Sequence, residues 1–128
     1  MDLVSVIAVT YNSSGFILET LNSIYNQTWK AIELIITDDN SYDSTVEICR
    51  GWLAKNGDRF IRSELLLSKV NTGVTGNANR GLRAATGKWV KFIGGDDALL
   101  PDCLTYNMEF VFSSPQTRVL FSRINNYR

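Results

Sequence analysis

Short runs of apolar, mostly β-branched residues alternate along the chain with segments whose apolar positions recur every three or four residues, and this alternation predicts an α/β fold. The first run, Leu3, Val4, Ser5, Val6, Ile7, Ala8 and Val9, is almost unbroken, as expected of a strand covered on both faces in a parallel sheet. It ends at Thr10, Tyr11 and Asn12. Ser13, Ser14 and Gly15 predict a turn with capping hydroxyls, and Ile17, Leu21, Ile24 and Tyr25 mark one stripe of a first crossover helix. A second buried strand is expected over residues 32–37, running straight into Asp38, Asp39, Asn40 and Ser41. Ser44, Thr45, Val46 and Glu47 fit a capping box, opening a helix with Val46, Cys49 and Leu53 inward and Asn56 and Gly57 as its stop.

The second half continues the alternation. A less regular strand is expected over residues 60–67, followed by a loop at Asn71, Thr72 and Gly73. Val74, Ala78, Leu82 and Ala85 then predict the inward face of a third helix, ended by Gly87. A fourth strand over residues 89–93 terminates in Gly94, Gly95, Asp96 and Asp97. A helix over residues 99–112, with Pro101 near its first turn and Pro115 beyond its last, precedes a short strand over residues 118–121. With no repeat, low-complexity tract or linker, the expectation is one domain over residues 1–128, a Rossmann-like, mostly parallel sheet with flanking helices.

Thirteen basic and thirteen acidic residues cancel, and neither sign forms a block, which argues against a nucleic-acid partner or an anionic membrane surface. The chain has no histidine, which removes zinc and non-haem iron triads, Ser-His and Cys-His pairs and histidine bases together. Any chemistry must then come from carboxylates, and a bound metal would be a hard ion. Cys49 and Cys103 lack C-x-x-C spacing and read as small core residues, and Trp29, Trp52 and Trp89 read as packing. No stretch matches a signal sequence or a membrane span, so a cytoplasmic protein is expected, with a longer parent free to associate with the inner face of a membrane.

Three polar clusters fall at predicted carboxyl ends of strands: Thr10 and Tyr11, Asp38 and Asp39, Asp96 and Asp97. In an open parallel sheet these ends share one edge, where ligands bind. Neighbouring aspartates repel unless a cation or a set of donors relieves them; either pair alone reads better as turn formers or helix caps, and only the two pairs together bring a ligand site level with that reading. Tyr11 alone is better read as rim packing than as a stacking platform.

The order of these motifs resembles that of family-2 glycosyltransferases with the glycosyltransferase A fold. Val4 to Asn12 is similar to that family's first strand and T-Y-N turn. Ser23, Gln27 and Thr28 match its S-V-x-x-Q-T helix end, and Glu33 to Ser41 its E-I-I-V-D-D-G-S strand. Asn71 to Val74, Asn79 to Gly81 and Ala85 to Val90 continue the match in collinear order, and Gly94 to Asp97 stands at the D-x-D-type motif. The resemblance implies a nucleotide-sugar donor, a UDP-sugar by preference, transferred with inversion to a saccharide, lipid-linked or other hydroxyl acceptor. It implies donor contacts at Thr10, Tyr11, Asp38, Asp39 and Asp96, and Mn2+ or Mg2+ at Asp97 and Asp96. Within that set, Asp39 meets the base, Thr10 and Tyr11 lie against it, Asp96 holds the ribose hydroxyls and Asp97 the metal. Gly94 stands where many members have a further Asp, and Ala78 where many have Arg. The implied catalytic base lies in an acceptor-binding half expected beyond Arg128, so these 128 residues are expected to bind donor and transfer nothing. A missing half would leave an apolar face that favours a homo-oligomer.

Other readings fit less well. A nucleotidyltransferase lacks its Gly-rich loop here, a dinucleotide-binding domain its G-x-G-x-x-G, and a P-loop is absent. A receiver-like signalling domain would place its acidic pair after the first strand, where this chain has Thr10 and Tyr11. A glycosyltransferase-like interaction module without catalysis remains open on sequence alone.

Overall fold

The computed structural model describes residues 1–126; Tyr127 and Arg128, the last two positions of the expected domain, lie outside the described residues. Strands β1 (Val4–Thr10), β2 (Ile32–Asp38), β3 (Arg62–Leu67) and β4 (Trp89–Gly94) form one sheet in the order β3-β2-β1-β4, with every pairing parallel. Helices α1 (Ile17–Tyr25), α2 (Thr45–Asn56) and α3 (Gly73–Ala84) are the crossovers, and α4 (Cys103–Ser113) follows β4. Continuous apolar runs form β1 and β2 because both faces are covered: Val6, Ile7, Ala8, Leu34, Ile35 and Ile36 are fully buried. Each large aliphatic side chain so removed from water contributes about 1.5–3 kcal/mol before the entropy of ordering is subtracted.

The α/β reading and all four sheet strands hold, with several local corrections. The stripe of α1 buries Ile17, Leu21 and Ile24 as expected, while Tyr25 stays exposed. No side-chain hydroxyl caps that helix; the carbonyl of Ser13 instead accepts from the N–H groups of Phe16 and Ile17. At α2 the capping box does not form, because Asp43 takes its place: the carboxylate accepts from the N–H of Thr45 at 2.9 Å and of Ser14 at 3.2 Å. Burial works against ionisation of Asp43, but bonds from Thr45 and Ser14 outweigh it and hold its pKa at about 2. The inward face of α2 is Thr45, Cys49 and Trp52, with Val46 and Leu53 only half-buried. Burial, helped by the charge of Asp38, pushes the Cys49 thiol up to about 12, so it packs rather than reacts; Cys103 is half-buried at the start of α4.

The largest correction concerns α3. Val74 and Leu82, expected inside, are exposed, and the helix buries Asn77 and Gly81 instead. Gly81 lets the helix lie against the sheet, since a Cβ there would meet Ile7 Cγ2 at 2.5 Å and Thr37 Cγ2 at 3.2 Å. Asn77 is admitted to the interior because its amide is satisfied, donating to the Thr10 carbonyl at 3.1 Å and accepting from the Thr37 hydroxyl at 2.7 Å.

Helix α4 begins later than residue 99 because the preceding backbone is already engaged by α1. Leu99 N–H donates to the Ser23 hydroxyl, the Leu100 carbonyl accepts from the Gln27 amide at 2.8 Å, and Thr28 N–H donates to the Pro101 carbonyl. Gln27 is buried and also accepts from Leu104 N–H, so the Q-T motif fastens the end of α1 to the start of α4. The strand expected over residues 118–121 does not form. A groove of about 520 Å³ lies between this segment, α4 and the outer edge of β4, so its amides have no ladder partner.

At the amino-terminal side of the sheet, Glu33 is fully buried within β2. Its carboxylate accepts from the Ser5 hydroxyl at 2.7 Å, the Thr86 N–H at 2.8 Å, the Thr86 hydroxyl at 2.7 Å and Arg62 at 2.7 Å. Burial alone would raise its pKa, but these donors outweigh that and lower it from 4.5 to about 2. One side chain thereby ties β1, β2, β3 and the turn before β4 together.

Candidate functional site

Because every strand runs the same way, the carboxyl ends of β1, β2 and β4 lie on one edge of the sheet. Thr10 pairs with Asp38 across β1 and β2, and Val9 pairs with Gly94 across β1 and β4. The turn after β1 therefore stands between the two acidic pairs, each one strand away, about 5 Å in the hydrogen-bonding direction. The chain passes from β1 to β2 and β3 on one side and returns to β4 on the other, so the sheet reverses its winding beside β1. This is the topological switch point, where ligands enter open α/β sheets.

The individual residues divide by depth. Thr10, Asp38 and Asp39 are buried, whereas Tyr11, Asp96 and Asp97 are exposed. Asp38 accepts from the Thr10 hydroxyl at 2.8 Å, the Ser41 N–H at 2.8 Å and the Ser41 hydroxyl at 2.6 Å. It sits under the edge and fixes the turns after β1 and β2 to each other. Asp39 accepts from the Thr72 N–H at 2.9 Å, the Thr72 hydroxyl at 2.6 Å and the Gly73 N–H at 2.8 Å, and Arg80 lies 3.6 Å away. Burial opposes its ionisation, but the Thr72 and Gly73 donors and the charge of Arg80 outweigh it and hold its pKa below the usual carboxylate range. The N-terminus of α3 favours a carboxylate in this place, and Gly73, at φ 83°, supplies the backbone bend that turns its N–H toward it.

Across β1, the segment after β4 turns tightly, with Asp97 N–H donating to the Gly94 carbonyl at 3.1 Å. A Cβ at Gly94 would lie 3.1 Å from both Asp96 Oδ1 and Asp97 Oδ2, so the two carboxylates converge on the face of a residue without a side chain. Among the described residues no group of three acidic, cysteine or histidine side chains is placed to hold a metal. Two exposed carboxylates nevertheless fit a hard cation that takes its remaining ligands from phosphate and water. Gly95 is buried against the β1 turn, where a Cβ would meet Ser13 Oγ at 2.8 Å and Thr10 Cγ2 at 3.0 Å. Helix α1 holds the same loop from behind, with Thr20 Oγ1 lying 3.0 Å from the Gly95 carbonyl and 2.5 Å from that of Asp97.

The three clusters are legible in the sequence, whereas their supports, Thr20, Asp43, Asn77 and Arg80, are evident only from long-range contacts. Asn77 and Gly81, four apart in a helix, are the one pattern that could have revealed a polar inward face.

The family model for glycosyl transferase family 2 matches residues 5–126. The chain belongs to glycosyl transferase family 2. It is 37% identical over 109 residues to a GalNAc(5)-diNAcBac-PP-undecaprenol beta-1,3-glucosyltransferase of Campylobacter jejuni, covering 85% of this chain and 34% of that protein. It is 31% identical to the UDP-Glc:alpha-D-GlcNAc-diphosphoundecaprenol beta-1,3-glucosyltransferase WfaP of Escherichia coli, covering 99% of this chain and 47% of that one. Among solved structures, S. aureus TarS 1-349 in complex with UDP-GlcNAc superposes with TM-score 0.78 at 28% identity, over 87% of this chain and 31% of that one. The mannosyltransferase PcManGT of Pyrobaculum calidifontis, in complex with GDP-Man and Mn2+, gives TM-score 0.80 at 28% identity, over 86% and 32%. The family-2 chain thus has the glycosyltransferase A fold and spans about a third of the C. jejuni relative's length. Among its described residues no helix is long and apolar enough to cross a membrane.

Proposed function

We propose that the protein is the donor-binding part of an inverting glycosyltransferase that uses a nucleoside diphosphate sugar, with uridine preferred, and a hydroxyl acceptor. One observation carries this reading: the parallel sheet brings Thr10 and Tyr11, Asp39, and Asp96 and Asp97 onto one edge at the switch point. Family membership and the nucleotide-sugar complexes of TarS and PcManGT support it.

In this reading the base lies against Tyr11. Thr72 and Gly73 supply three donors that make four contacts with Asp39, because the Thr72 N–H reaches both oxygens at 2.9 Å, so an imide N–H from the base would take the place of one of these shared contacts. Thr10 and Asp38 act from beneath, holding the turns in place. Asp96 takes the ribose hydroxyls and, with Asp97, holds Mn2+ or Mg2+. Such an ion supplies charge neutralisation of the departing diphosphate. Thr20 and Gly95 keep the loop against β1, and Gly94 leaves space beside both carboxylates. The residues assigned here bind the donor, and none of them is placed as the base that deprotonates the acceptor.

Calorimetric titration with UDP in the presence of Mn2+ tests this. Wild type is expected to bind, and Asp97→Ala to bind about ten- to hundredfold more weakly, the usual worth of a charge-assisted contact. Removing Mn2+ should weaken the wild type by a similar factor and the variant little. Binding that ignores both the metal and Asp97 would contradict the assignment, and no binding of any nucleoside diphosphate would favour an interaction module.

A further inference from the structure

We propose that Tyr42 is a second wall of the base-binding corner and sets the preference for a nucleoside over a bare diphosphate. This rests on the donor-site reading above. Tyr42 lies in the turn after β2 and is 84% exposed, while Tyr11 after β1 is 44% exposed. Their rings stand nearly perpendicular, at 83°, with centroids 6.3 Å apart, so together they form an open right-angled corner at the ligand-binding edge. A single exposed tyrosine is ordinary on a protein surface. What distinguishes this one is how its backbone is held.

Tyr42 N–H donates to Asn12 Oδ1 at 3.0 Å, and Asn12 N–H donates back to Ser41 Oγ at 2.8 Å. Ser41 is in turn fixed by both oxygens of the buried Asp38. Asn12 and Asn40 both adopt left-handed backbone, at φ 49° and 67°, a conformation that non-glycine residues take up uncommonly and that recurs where function demands a particular turn. The residue after Tyr11 and the residue before Tyr42 are therefore cross-tied, and the ties fix the backbone from which both rings project. Two aromatic surfaces on a fixed backbone match a planar heteroaromatic ring, which can stack on one and meet the other with its edge. Stacking of this kind tolerates any base, so Tyr42 contributes affinity for a nucleoside as a class rather than selection among bases.

The test is a calorimetric comparison of wild type, Tyr42→Ala and Tyr42→Phe, each titrated with UDP and with inorganic pyrophosphate in the presence of Mn2+. Tyr42→Ala is expected to bind UDP about tenfold more weakly, with pyrophosphate affinity unchanged. Tyr42→Phe, which keeps the ring, should bind UDP as wild type does. Equal UDP affinity in wild type and Tyr42→Ala would overturn the role of Tyr42 while leaving the donor site standing. Parallel loss of UDP and pyrophosphate would also overturn it, since that reports a disturbed loop. Failure of wild type to bind UDP would remove the donor site itself.

Discussion

Glu33→Gln is expected to lower the unfolding free energy by about 3 kcal/mol at neutral pH. The buried carboxylate accepts from two hydroxyls, one backbone N–H and one guanidinium, and an amide in its place would set an NH2 group against some of those donors. The sign of the pH dependence follows from the direction of the shift. The folded-state pKa of about 2 lies below the ordinary 4.5, so the stabilisation is complete above about pH 5 and declines as the pH falls through that range. At pH 3 roughly half of the difference between wild type and variant should remain, and below pH 2 little of it. Urea unfolding of both proteins at pH 7 and pH 3 measures this; a gap that stays constant with pH would show that the charge of Glu33 contributes nothing.

Gly81→Val is expected to cost about 3 kcal/mol or more, because a β-branched side chain would have to occupy space held by Ile7. Its Cβ alone would come within 2.5 Å of Ile7 Cγ2, and Ile7 is fully buried in a central strand, so the helix must lift or the strand must bend. Gly51 is the control. It also lies within a helix, but nothing stands within 4 Å of its would-be Cβ, so Gly51→Ala should stabilise by about 0.5–1 kcal/mol through helix propensity. Thermal unfolding of the two variants separates a glycine required by close packing from one that is merely present. Equal and small effects would mean that α3 has room to shift.

The contrast between these helices explains what could be read from the chain. Strands β1 and β2 were legible because residues buried on both faces must be apolar throughout, and Ile32 to Ile36 leave little other reading apart from Glu33. Helix α3 was misread because its exposed face carries Val74 and Leu82, while its inner face is Asn77 and Gly81, chosen for close approach and for bonds to Thr10 and Thr37. A hydrophobic stripe marks an inward face only when the helix packs through bulk. The capping box at α2 failed for a related reason: Asp43, one residue upstream, reaches Thr45 and Ser14 at once, and that partnership across two loops leaves no periodic trace.

The site was legible in its carboxylates and not in its depth. Asp38 and Asp39 look alike in the sequence, yet Asp38 fastens the turns of β1 and β2 while Asp39 faces the start of α3. Only long-range pairing separates them. Gly94 and Gly95 likewise differ: one leaves room for two carboxylates, and the other lets the loop rest on Ser13 and Thr10.

Convergence of the two acidic pairs on one bound ligand is most directly measured by amide proton–nitrogen spectra of the wild-type protein titrated with paramagnetic Mn2+ in the presence of UDP. Signals of Thr10 to Asn12, Asp39 and Gly94 to Asp97 should broaden together at low metal. Those of Glu33 and Thr86, toward the opposite end of a sheet whose strands rise about 3.3 Å per residue, should broaden last. Broadening confined to one acidic pair, or spread without regard to this edge, would contradict a single donor site.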